Sequence, residues 1–367
     1  MDSSLTNASA LCGPVSRDGR PGRSGERYGS SVTNGFEVLW QRTLHERPQV
    51  VRARAADGVL VTLERGTRLV RLDPLTGELR WEVKVEDPWG DLALGEDVCV
   101  YVSGHGSMRC VELDSGRVRW VRPNERFRRH LCVAQGAVTS GGWRGYRPLR
   151  GYDVRSGDEL WSRTVLGEES SENQVVEEFH RPEPFVGGVL ICPRNGRDLW
   201  MIDVRTGVVV QRWDLPEPIT ADVDARAFWP TGDGQVTFSC GASVAVLDPV
   251  GGIATVWADP DDRPTGAQLL SGGRLWIGHR DRVGLIDTRS GIEQDLLMEE
   301  GPVGTAAIPV GDDVFVLTRA GLLRKYDARG RAIGQIRLSR RGYALASAAT
   351  GLVHAMTKGS VVGIRVG

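Results

Sequence analysis

The chain has 367 residues, 40% of them hydrophobic and 25% charged, with a formal net charge of −1. These values exclude a disordered or collagen-like polymer and argue against a global nucleic-acid footprint. No apolar run reaches about 18 residues, so no spanning helix and no membrane partner are expected.

Residues 1–35 are rich in Ser, Gly and Arg and read as a flexible tail preceding a single domain over 36–367. The tail lacks a basic stretch followed by an apolar run, and Leu11 directly before Cys12 misfits a lipoprotein cleavage site. The expected location is therefore the cytoplasm, with Asn7-Ala8-Ser9 a chance sequon. Next comes FEVLWQRTL (36–44), a lone strand carrying Trp40.

From residue 71 onward one phrase recurs. It reads RLDPLTGELRW (71–81), VELDSGRVRW (111–120), GYDVRSGDELW (151–161), MIDVRTGVVVQRW (201–213), VLDPVGGIATVW (246–257), LIDTRSGIEQDLL (285–297) and KYDARGRAIGQI (325–336). The acids Asp73, Glu112, Asp153, Asp203, Asp248, Asp287 and Asp327 are spaced by 39, 41, 50, 45, 39 and 40 residues, which marks a repeat architecture. An acid at a strand end can accept backbone N–H bonds inside a turn, Pro74 or Pro249 fixes φ, and the later Gly permits a left-handed bend, so each phrase is a hairpin. Trp81, Trp120, Trp161, Trp213 and Trp257 fall in the strand that follows, where an indole can dock on the neighbouring repeat. Copies six and seven offer Leu297 and Ile336 instead.

Upstream of each phrase lie two more short alternating runs, VRARAADG and VLVTLERG in the first copy. Four strands per repeat make a propeller blade. The last copy, 342–367, stops after three strands, and 36–44 supplies the missing fourth. The expectation is an all-β, eight-bladed β-propeller of four antiparallel strands per blade, its eighth blade closed by the N- and C-terminal strands.

The phrases RLDPLTGELRW and GYDVRSGDELW resemble the pyrroloquinoline-quinone-like propeller repeats of quinoprotein alcohol dehydrogenases and their relatives. That family divides into quinone-dependent dehydrogenases and non-catalytic members such as the outer-membrane barrel-assembly propeller lipoprotein, a protein-binding scaffold. The dehydrogenases carry an adjacent Cys pair and a Glu/Asn/Asp calcium site. Here Cys12, Cys99, Cys110, Cys132, Cys192 and Cys240 include no adjacent pair. The resemblance thus implies the fold, and the departures favour the non-catalytic branch without a cofactor.

Within such a blade, the second-to-third and inter-blade loops share one face, where function most often sits. That face would gather Arg126, Arg128, Arg129, Trp143, Arg144 and Arg147 beside an acidic insertion containing Glu177 and Glu178, a candidate protein-partner surface. His105, His130, His180 and His279 fall on the same face. They support a rival expectation, an enzyme or small-molecule sensor with an axial pocket. No GxSxG, P-loop, HExxH or local metal spacing appears, so no catalytic residue and no metal site is expected, and the balance leans away from an enzyme. The SGHGS hairpin could also set Cys99 opposite Cys110 at disulfide distance, depending on its register.

Overall fold

The computed structural model describes residues 35–44, 48–54, 58–64, 68–85, 92–103, 106–123, 130–141, 148–163, 178–221, 227–231, 234–261, 264, 266–270, 274–278, 283–287, 293–296, 306–311, 313–338 and 341–367. Among these residues there is no helix, and the strands fall into eight four-stranded sheets, all antiparallel in their pairings. The protein is a β-propeller. Blades 1 to 7 follow the chain at 48–84, 92–122, 132–163, 183–214, 229–258, 266–296 and 306–337. The closing sheet combines Gly342–Ala346, Leu352–Thr357 and Ser360–Val366 with Phe36–Thr43. Its register runs from Phe36 opposite Val366 to Thr43 opposite Ser360.

Alternation places one face of each sheet toward the preceding blade and the other toward the next. The core therefore lies between blades. Leu63, Leu69, Trp81, Cys99 and Tyr101 join blades 1 and 2, and Val100, Cys110, Trp120, Val138 and Tyr152 join blades 2 and 3. Cys99 pairs with Val111 and Cys110 with Val100, so the two thiols point to opposite faces of blade 2. They are free and buried, and the possible disulfide is not formed. Burial pushes the Cys110 thiol up to about 12.

The repeated phrase makes the turns it spells. Asp73 Oδ1 accepts the N–H groups of Leu75 and Thr76, both at 2.9 Å. Asp153, Asp203 and Asp248 repeat this bond pair, and Asp327 accepts from Arg329 and Arg331. The Ser156 N–H holds Asp153 below the usual carboxylate range, burial opposes it, and the Arg155 N–H and the Arg205 side chain add to the lowering. Glu112 differs. Its longer side chain turns outward to Arg117 and Ser115, which bring it down to about 2.

Among the described residues, indoles of successive blades bind the next blade through one repeated bond. Trp40 Nε1 donates to the Pro74 carbonyl at 3.0 Å, Trp120 to Val154 at 2.9 Å, Trp161 to Val204 at 2.8 Å, and Trp81 to Leu113. Each acceptor is the residue just after the phrase's acid. The glycine closing the same turn lies against the indole: a Cβ on Gly157, at φ 76°, would stand 2.7 Å from Trp120 Cδ2. That glycine is thus required by both backbone and contact.

Candidate functional site

The upper face, bearing the second-to-third and inter-blade loops, gathers two histidines. His130 enters blade 3 just before Cys132, is 3% exposed, and holds φ at 61°, a left-handed backbone uncommon outside glycine. His180 enters blade 4 and is fully buried, its N–H bonded to the Cys192 carbonyl at 2.9 Å. Its ring Nε2 lies 3.3 Å from the Arg194 carbonyl. A carbonyl only accepts, so Nε2 carries the proton and Nδ1 the lone pair. Burial pushes His180 down to about 4; the Arg194 carbonyl opposes this, the nearby His130 and the Arg194 charge reinforce it, and Glu178 opposes it. The imidazole is neutral at neutral pH.

Charged side chains surround this pair. Arg194 Nη1 reaches Glu178 Oε2 at 2.7 Å, and the Arg194 N–H donates to the Glu178 carbonyl at 2.8 Å. Arg181 Nη2 donates to the Leu92 carbonyl at 3.4 Å, so this blade 4 residue reaches the first strand of blade 2. Arg194 also borders a cavity of about 350 Å³ extending over blade 5, with Glu217, Thr220, Gly241 and Pro264 in its wall. On the lower face a cavity of about 580 Å³ lies between the turns of blades 1 and 2. Its charges are internally matched, Arg71 to Asp114 at 3.1 Å and Arg80 to Asp73.

Of the residues expected on the upper face, His130, His180 and Glu178 are among the described residues, and the charges of His130 and Glu178 act on the His180 ring. Arg126, Arg128, Arg129, Trp143, Arg144, Arg147, Glu177, His105 and His279 lie outside the described residues. Arg181, Arg194 and Glu217 were not singled out in the sequence. Arg181 stood in plain view beside His180, whereas Arg194 comes from a second-to-third loop and meets His180 only through the blade's register. Among the described residues, no group of three or more His, Cys, Asp or Glu side chains converges as a metal cage.

A family model described as outer membrane protein assembly factor BamB matches residues 31–182 and 88–294. The chain belongs to this family. No curated protein matches the sequence. Among solved structures, BamB from Moraxella catarrhalis is similar over 90% of this chain and 97% of its own, with 16% identity and a TM-score of 0.68. The quinohemoprotein alcohol dehydrogenase from Comamonas testosteroni is similar over 92% of this chain and 78% of its own, at 12% identity and a TM-score of 0.67. The computationally designed Ika8 protein matches over 88% and 98%, at 15% identity and 0.63. At such identities the structures establish the propeller fold alone. Membership in the BamB family also corrects the expected location: its description names an outer-membrane assembly factor, which points to the cell envelope rather than the cytoplasm.

Proposed function

We propose that the protein is a non-catalytic scaffold that binds a protein partner through the upper-face loops of blades two to four. Membership in the BamB family carries this reading. The residues assigned to the surface are Arg126, Arg128, Arg129, Trp143, Arg144 and Arg147, with Glu177 and Glu178 beside them. Arginine suits the role because its planar fork makes bidentate bonds to carboxylates, and a tryptophan among them supplies an apolar anchor. The Glu178–Arg194 pair supports the idea that charged loops are braced against the blades there. The propeller over 36–367 is read as the binding domain and residues 1–35 as a tail outside it.

Charge reversal at Arg126, Arg128 and Arg129 tests the surface directly. Recovery of partner protein from the native cell, read by mass spectrometry, is expected to fall to background in the triple Glu variant. Full recovery by a variant with an unchanged melting curve removes this surface from the proposal.

A further inference from the structure

The end of the chain is charged with one sign. Residues 328–367 carry seven Lys and Arg and no Asp or Glu, so the remaining 327 residues hold a net charge of −8. Three of these cations, Arg337, Arg341 and Lys358, are exposed at the upper rim, and the exposed Arg319 of blade 7 joins them there. Backbone bonds set the loops that carry them side by side: the Gly342 N–H donates to the Arg319 carbonyl and the Lys358 N–H to the Arg341 carbonyl, each at 3.1 Å. Arg337 Nη1 donates to the Ala320 carbonyl at 3.2 Å, which holds its guanidinium over the same turn.

Cations gathered on one arc repel one another, and an anionic surface laid over them relieves the repulsion. Among the described residues no acid stands on these loops, and the large exposed apolar side chains lie elsewhere, as at Leu75, Val118 and Val250. Recognition on this arc is therefore electrostatic, with no apolar anchor among the described residues. The chain's own complement lies across the ring. Between Arg163 and Arg181 stand five Glu and no Lys or Arg. Arg163 ends the last strand of blade 3, and Glu178 is paired with Arg194 of a second-to-third loop of blade 4, so this stretch leaves and rejoins the described fold on the upper face. The basic arc spans the seam between blade 7 and the closing sheet, four sheets further round a ring of eight.

We propose that two copies of the chain associate through their upper faces, the basic arc of each receiving the acidic stretch of the other. Opposite charges at opposite points of one face are self-complementary. A twofold axis between two facing rings brings each arc over the other copy's acids, so one contact is made twice. Arginine forks suit the carboxylates they meet there. The inference does not rest on the partner reading, because the arc lies outside the surface of blades two to four. Since the facing rings also cover that surface, self-association and partner binding exclude each other.

The test is sedimentation velocity of the full chain at about 0.01 M ionic strength, where charges act over about 30 Å, and at about 1 M, where they act over about 3 Å. The expected result is a doubled mass at low ionic strength and the single-chain mass at high. A variant carrying Arg319→Glu, Arg341→Glu and Lys358→Glu is expected to stay monomeric at both, as is one carrying Glu168→Lys, Glu169→Lys and Glu172→Lys. Mixing the two decides the matter: their exchanged charges match across the pair, so the equimolar mixture should regain the doubled mass. A misfolded variant could not regain it, so the rescue separates lost charge from lost fold. A parent that is monomeric at low ionic strength, a dimer that persists in either variant, or a mixture that stays monomeric overturns the proposal. A monomeric parent that instead binds vesicles of anionic phospholipid overturns it as well and assigns the arc to a membrane surface.

Discussion

The seam between blades 3 and 4 and the seam between blades 4 and 5 use the same repeated phrase and end differently. In the first, Trp161 lies eight residues after Asp153, pairs with Gly151, and donates its indole N–H to the Val204 carbonyl of the next turn. In the second, Trp213 lies ten residues after Asp203, pairs with Leu199, and leaves Gln211 opposite Met201 where the stapling indole would stand. Trp213 instead meets Phe185 edge-on at 6.4 Å and stays half-buried. The blade 5 turn departs as well. In blades 1 to 4 and 7 a bulge follows the turn, whereas blade 5 continues its ladder to Asp248–Gly252 and moves the irregularity to Val244/Ala245. Its glycine, Gly252, therefore has nothing within 4 Å of a built Cβ. The acid cap survives there, with Val250 and Gly251 both bonded to Asp248 Oδ1. Turn formation and blade docking are thus separate properties of one phrase.

Truncating the indoles should break the comparison most visibly. Trp120→Ala, at a buried staple, is expected to cost about 3–5 kcal/mol in urea unfolding, and Trp213→Ala only about 1–2 kcal/mol. Equal losses would show that the two seams are held alike. A subtler pair isolates the glycine contact. Gly252→Ala should cost about 1–2 kcal/mol, for its positive φ alone, and Gly157→Ala about 1–3 kcal/mol more because the methyl meets Trp120.

Acid provides a third probe, aimed at the closure seam. His354 is fully buried, and its Nε2 donates at 2.9 Å to the Pro74 carbonyl that also accepts from Trp40. Burial lowers His354, the Pro74 bond opposing, and His180 falls to about 4. Both fold as neutral rings, so their contribution is complete above the unfolded value near 6.5 and drains away as pH falls from about 6.5 toward 4. Melting curves should drop over that window, and less steeply in His354→Gln. The smallest effect concerns exchange: amides of Val209–Asp214 are expected to lose protection sooner than those of Glu159–Arg163, measured by hydrogen–deuterium exchange.

Much of this ring is legible in the residues because its information is local. An acid, a Gly four residues after it and an indole eight residues after the same acid specify cap, turn and staple within one short window. The shared closing sheet is also readable, since three strands at one end and one at the other have no alternative partner. Functional content is different in kind. His180 acquires its tautomer from Arg194, fourteen residues away, and its electrostatic neighbour His130 from another blade. No spacing encodes those meetings, because they arise from loops converging on one rim. The lost staple at Trp213 was readable from its spacing of ten rather than eight, a difference that gains meaning only once the register is known.

Closure of the ring by strands from opposite ends of the domain has a practical corollary. The Gly367 N–H donates to the Gly35 carbonyl at 3.1 Å, so the two ends of the propeller stand side by side. A short peptide joining residues 367 and 35 would make the backbone a continuous loop, and fresh ends could be opened at the exposed Val186 between the first two strands of blade 4. Such a permutant should keep the sheet order while moving the cut to an exposed turn of blade 4.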